Sequence, residues 1–273
     1  MIRIGISGWN YPPWRGSFYP RGLPHRKELA YAAEHLSSIE INGTFYALQR
    51  PTSFASWHDQ TPDDFLFSVK GPRFITHMKK LSDVEAPLAN FFASGVLALG
   101  RKLGPVLWQL PPNLGYDRHR LSRFFDLLPR TQAAAAELAR RHDDKIGEDR
   151  ALLTSTAPEL PIRHALEVRH DTFHSADFPA LLREYQISAV LGDNPGKWPI
   201  IEKVTTDFMY VRLHGHEELY ASGYTDEALD CWATKVAGWH AAGQDVFVYC
   251  DNDAKGHAPF DAMNLMSRLS PVR

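Results

Sequence analysis

The 273-residue chain has only two cysteines, Cys231 and Cys250, too few and too far apart for a disulfide framework or a C-x-x-C metal site. It has no excess of charge of either sign. Thirty Lys and Arg stand against 32 Asp and Glu, a formal net charge of −2, which gives no global attraction to nucleic acid or to a membrane surface. Long hydrophobic runs are missing too. The opening "MIRIGISGW" lacks the apolar stretch of a signal peptide, and no segment approaches a membrane span, so a cytoplasmic protein with no membrane partner is expected. There is no G-x-G-x-x-G and no P-loop, which leaves a nucleotide-binding open sheet without its motif.

What is present is an ordinary globular composition, 44% hydrophobic and 23% charged, arranged in a regular order. Eight short β-like runs follow one another: Ile2–Ile6, Ser38–Asn42, Phe65–Lys70, Pro105–Leu110, His164–Arg169, Ile187–Leu191, Phe208–His214 and Asp245–Cys250. Helical stretches are expected at Arg26–Leu36, Pro87–Leu97, Arg120–His142, Asp177–Tyr185, Thr225–Ala242 and Ala258–Leu269. Strand–helix alternation implies parallel pairing with right-handed crossovers. Eight such units predict the α/β class and a single (β/α)8 TIM-like barrel spanning 1–273 as one domain, ahead of an open doubly wound sheet. The polar, proline-containing stretch 143–161 breaks the rhythm and is expected as an irregular excursion before the fifth strand.

In a barrel, alternate residues of each strand point inward and the functional end is the carboxyl end of the strands. Turning the most apolar set of each strand outward sends Glu40 and Asn42 inward from the second strand, and Ser68 and Lys70 from the third. The fourth contributes Gln109, the fifth Glu167 and Arg169, and the seventh Tyr210, Arg212 and His214. The phase of the eighth is ambiguous, but Asn252 and Asp253 follow its end. Polar groups from several strands thus converge at one end, where burial is costly unless charges pair or serve a site.

The segments "GISGWNYPPWRGSFYP", "SIEINGTFY", "FLFSVKGPRFITH", "LGPVLWQLPPN", "LEVRHDTFH", "YVRLHG" and "YCDNDAKGHAPFDAMNL" resemble, in order, the successive motifs of the YecE-like family, domain of unknown function seventy-two. The resemblance runs from the first strand to the last helix and implies a TIM-like barrel without supplying a reaction. The sequence departs from the family where Cys250 and Asp251 stand in place of the more usual Phe and Asn, so no role is carried over to Asp251.

The chemistry is therefore argued from residues. Lys70, Arg169 and Arg212 would grip a phosphate or carboxylate, or else neutralise Glu40 and Glu167 in an ion network. Glu40 and Glu167 are candidate base or acid groups, and His214 a proton shuttle. Asn42, Tyr46, Gln109, Asn252 and Trp9 are candidate substrate contacts, Trp9 from the aromatic first loop, which otherwise folds over the barrel as a packed cap. The "HGH" pair, His214 and His216, with Glu40, Glu167, Asp193 and Asp253 would suit a divalent metal, but the neighbouring Arg and Lys oppose a cation, and no resident metal or cofactor is expected. The expected function is an enzyme binding a small anionic, for instance phosphorylated, substrate at the barrel mouth. The alternatives are a nucleic-acid-binding or metal-dependent phosphodiesterase-like protein, or a non-catalytic ligand sensor. Nucleic acid is the less favoured partner because no long basic stripe is evident.

Overall fold

The computed structural model describes residues 1–269. Eight parallel strands close into a barrel in chain order: β1 (Ile2–Ser7), β2 (Ser38–Ile41), β3 (Leu66–Lys70), β4 (Leu103–Gln109), β5 (His164–Glu167), β6 (Ile187–Asp193), β7 (Phe208–Leu213) and β8 (Asp245–Cys250). The last strand pairs back onto the first, so the (β/α)8 architecture expected from the alternation is the one found. The helices are α1 (Glu28–His35), α2 (Gly43–Tyr46), α3 (Pro51–Asp59), α4 (Glu85–Ala93), α5 (Arg118–Asp126), α6 (Gln132–Ala139), α7 (Asp177–Glu184), α8 (Asp226–Ala241) and α9 (Ala258–Leu269).

One helical expectation is corrected, and one helix is added. The stretch Arg120–His142 is not one helix: it divides into α5 and α6 around Pro129, whose ring and missing N–H break a helix interior. Each piece has its own N-cap. Asp117 accepts from Arg120 N–H and Thr131 from Ala134 N–H, both at 3.1 Å. Helix α3 was not foreseen, its apolar period being weak; Pro51 occupies its first turn, where no backbone N–H is needed. The 143–161 excursion is irregular and anchored. Leu152 N–H donates to Ala93 O at 2.8 Å, Asn90 holds Asp143 at 2.9 Å, and Ala157 is fully buried.

Apolar residues on the outer face of the strands, such as Ile4, Ile6, Ile39, Val211 and Leu213, pack under the helices. At Gly5 a Cβ would lie 1.8 Å from Ser38 O, so β1 and β2 can approach only with glycine there. Inside the barrel, Leu107, Ala165, Val190, Phe208 and Phe247 fill the lower part and Tyr210 and Tyr249 sit with them, ring centroids 5.2 Å apart. The Tyr249 hydroxyl is satisfied by Ser38 and Ser68 Oγ, both at 2.7 Å. At the amino end the Arg163 guanidinium covers the Phe208 and Phe247 rings at 5.1 and 5.0 Å and pairs with Asp245. The strand register then sets the top layer, aligning Ser7 with Glu40, Glu40 with Ser68, and Gln109 with Glu167.

Candidate functional site

Arg212 stands at the centre of the top layer, fully buried. Its Nη1 donates to Glu167 Oε2 at 2.8 Å, and its Nη2 donates to Glu40 Oε1 and Asp251 Oδ2, both at 2.9 Å. Glu40 is completed by Ser7 Oγ at 2.7 Å and by the Tyr210 hydroxyl at 2.6 Å. Glu167 also takes Arg169, whose Nε donates at 2.8 Å, while Arg169 Nη2 donates to the Tyr220 hydroxyl at 3.2 Å. The Arg169 guanidinium lies over Trp198, its Cζ 3.7 Å from the ring centroid. Because a carboxylate only accepts, the 3.0 Å contact between His214 Nδ1 and Asp251 fixes Nδ1 as the donor. His214 Nε2 then faces Glu167 Oε1 at 3.8 Å without a hydrogen bond of its own.

These contacts set the protonation states. Burial pushes the Glu167 carboxyl up, but Arg169 and Arg212 outweigh it and hold it well below the usual carboxylate range. Asp251 is treated alike: against burial, Arg212 and His214 bring it to about 2. Both are ionised at neutral pH. For Arg212, burial opposes the charge and Asp251, Glu40 and Glu167 more than restore it.

Above this floor lies a cavity of about 380 Å³ lined by Tyr11, Asn42, Phe45, Tyr46, Lys70, His77, Gln109, Arg169, Tyr220, Asp251 and Asp253. Of the sequence-predicted residues, Asn42, Tyr46, Lys70, Gln109 and Arg169 line it, Tyr46 from the rim with 72% of its surface exposed. Glu40, Glu167, Arg212 and His214 lie in the buried network beneath and do not line it. Two contacts are corrected. Trp9 packs edge-on against Trp57 of α3, centroids 5.3 Å apart, because the first loop turns its aromatics into the protein. Asn252 ties β8 to α9, its Nδ2 donating to Asp261 Oδ2 at 2.7 Å and to Ser222 O at 2.9 Å. The rest of the first loop is a packed cap, with Trp14, Phe18 and Tyr19 buried. His216 lies past β7 against Tyr224, so it shares no site with His214.

Lys70 differs from the other cations. It ends β3 with 8% of its surface exposed and its Nζ 4.4 Å over the Phe45 ring, and among the described residues no hydrogen bond or ion pair reaches that nitrogen. Burial first, then the like charge of Arg212, lower its pKa to about 8, against the opposing pull of Glu40, Asp251 and Glu167. His77, on the single π-helical turn Phe74–Met78, is brought to about 4 by burial, Lys70 and Arg169, and so faces the cavity neutral.

Sequence reasoning missed Asp251, Tyr11, His77 and Tyr220 as cavity residues, while Asp253, placed at the mouth from its position past β8, does line it. A signal existed for one of them: with Tyr249 inward, alternation carries Asp251 inward as well. Tyr220 comes from an irregular loop at φ 63°, which no periodicity announces.

The fold and this mouth define a closed parallel (β/α)8 barrel whose top layer is an ion network beneath an open polar cavity. Residues 3–272 match the model described as "Protein of unknown function DUF72", and the chain belongs to that family. It is similar to the UPF0759 protein YecE of Escherichia coli, 25% identical over 241 residues that cover 88% of this chain and 82% of that relative. It is also similar to the UPF0759 protein YunF of Bacillus subtilis, 31% identical over 117 residues, 41% of this chain and 40% of that one. A crystal structure of a DUF72 family protein from Thermotoga maritima superposes with a TM-score of 0.77 at 24% identity, covering 98% of this chain and 99% of that one. One from Enterococcus faecalis superposes at 0.73 and 18% identity, covering 100% and 97%. These likenesses carry the fold. Among the described residues, no helix is long and apolar enough to cross a membrane.

Proposed function

We propose that the protein is an enzyme that binds a small anionic substrate in the mouth cavity, with Lys70 as its principal charged contact. The observation that carries this reading is the asymmetry among the cations: Arg212 is enclosed by three carboxylates, while Lys70 faces the cavity with none bonded to it. Arg169 adds a second, partly committed cation, since its Nη1 has no partner among the described residues. Gln109 and Asn42 supply neutral donors on the same wall. Glu40, Glu167 and His214 act in this reading as positioning groups beneath the floor. The groups placed to exchange protons with substrate are those on the cavity wall, Lys70, Asp251 and Asp253.

The reading also weakens nucleic acid as a partner, because the mouth arginines are tied to carboxylates instead of presented to phosphates. A cytoplasmic setting suits the two free thiols of Cys231 and Cys250. No resident cofactor enters the reading. Calorimetric titration with inorganic phosphate and with pyruvate tests it. Binding should be measurable on the native chain and should fall roughly tenfold or more in Lys70→Met, the loss of one charge-assisted contact. Equal binding by Lys70→Met, or none by the native chain, overturns it.

A further inference from the structure

We propose that Lys70 is an amine nucleophile that forms an imine with a substrate bearing an aldehyde or ketone beside its anionic group. This rests on the reading of the mouth cavity as the substrate site and narrows the substrate to a carbonyl compound.

The comparison with the chain's other buried lysine carries the argument. Lys102, 3% exposed, has its Nζ fully engaged, donating to His58 O at 2.7 Å, Thr61 O at 2.8 Å and Thr61 Oγ1 at 3.4 Å. That is how a structural ammonium is buried, with its protons all accepted. Lys70 is almost as buried, yet its Nζ has only the Phe45 ring beside it and the open cavity before it. Its presence does not complete the ion network either. Glu40, Glu167 and Asp251 take their hydrogen bonds from Arg212, Arg169, His214, Ser7 and Tyr210. A lysine desolvated against an aromatic ring and near a second cation releases its proton readily, the condition for amine nucleophilicity near neutral pH. Its lowered pKa agrees with that placement.

The step balances within the cavity. The Nζ lone pair adds to the carbonyl carbon and the π pair moves to oxygen, which takes a proton while nitrogen loses one. The resulting carbinolamine expels its hydroxyl, protonated, as water, and C=N forms; amine and carbonyl become imine and water. Asp253 lines the same cavity, where its carboxylate can take the proton that nitrogen loses and return it to the departing hydroxyl. The anion first draws the substrate to the Lys70 ammonium; once that nitrogen has lost its proton and bonded to the carbonyl carbon, the anionic group is left to Arg169, whose Nη1 is uncommitted.

The test is reductive trapping. The full chain is incubated with pyruvate, or with glycolaldehyde phosphate, and sodium cyanoborohydride, and each lysine is followed by peptide mass spectrometry. Lys70 is expected to be alkylated roughly tenfold faster than exposed Lys27 and than Lys102, with inorganic phosphate slowing the reaction at Lys70 alone. Phosphate binding by the native chain and by Lys70→Met is measured in parallel. If Lys70 is alkylated no faster than Lys27 while phosphate binding depends on Lys70, the imine is overturned and the anion site stands. If neither phosphate nor either carbonyl probe reaches Lys70, both fall together.

Discussion

The two halves of the barrel interior are built from the same eight strands and solve opposite problems. Toward the amino ends, Phe208, Phe247 and Leu107 fill the space by dispersion and exclusion of water, and one guanidinium, Arg163, closes the end over two rings. Toward the carboxyl ends, two or four residues further along those strands, Glu40, Glu167, Arg212 and Asp251 replace the apolar filling. Desolvating such charges is expensive, and apolar packing of equal volume would serve stability as well or better. What the upper half adds is a fixed electrostatic floor, rigid because each carboxylate is held by two or more donors. The proposed function rests on that difference: the lower half is packing, and the upper half leaves Lys70 without a hydrogen bond or ion pair at its nitrogen among the described residues.

The comparison is broken most severely at its hinge. Arg212→Ala leaves Glu40, Glu167 and Asp251 buried without their shared cation and should cost about 3–5 kcal/mol in urea unfolding. In the lower half, Phe247→Ala opens a cavity under Tyr249 and should cost about 3 kcal/mol, with binding of small anions preserved if the two halves are separable.

The pH dependence distinguishes the top layer from the packing outside the strands. Asp251 is held at about 2 in the folded chain against 3.8 ordinarily, so its contribution is intact above 3.8 and lost as pH falls toward 2. His164, on the outer side of β5, is held neutral by burial with a pKa of about 3, its Nδ1 accepting from Trp108 and its Nε2 donating to Pro129 O. Its folded pKa lies below 6.5, so the unfolded chain binds the extra proton and stability declines from 6.5 downward. Unfolding free energy measured against pH should therefore fall from 6.5 downward and more steeply below 3.8, and Asp251→Asn should make the lower fall shallower without abolishing it, because Glu167 is held low as well.

Lys70→Met should have the smallest effect on stability, within about 1 kcal/mol and of either sign, because no hydrogen bond is lost. It should nevertheless change the alkaline side. The folded Lys70 releases its proton near 8 while the unfolded one keeps it to 10.5, so native stability should rise with pH from about 8 until the tyrosines begin to titrate. In Lys70→Met that rise should be absent.

Much of this was legible in the sequence. Strand order, barrel closure and the inward phase of Glu40, Lys70, Glu167 and Arg212 follow from period-two alternation, which survives wherever one face of a strand is apolar. The split between α5 and α6 was marked by Pro129 but masked by the alanine run that follows. Which polar residues form the floor and which face the cavity was not legible, since alternation fixes a side chain's direction but not its partners. Trp9 and Asn252 illustrate the limit: both lie on loops beyond strand ends, where direction is set by tertiary contacts with Trp57 and Asp261.

The most direct measurement is the pKa of Lys70 itself, by carbon NMR of the reductively ¹³C-methylated chain, with Lys70→Met assigning the resonance. A midpoint about 8, displaced upward when inorganic phosphate is added, is the expected result. A midpoint at the ordinary lysine value of about 10.5, unmoved by phosphate, would mean that Lys70 is a solvated or paired charge and is not the cation that meets a ligand.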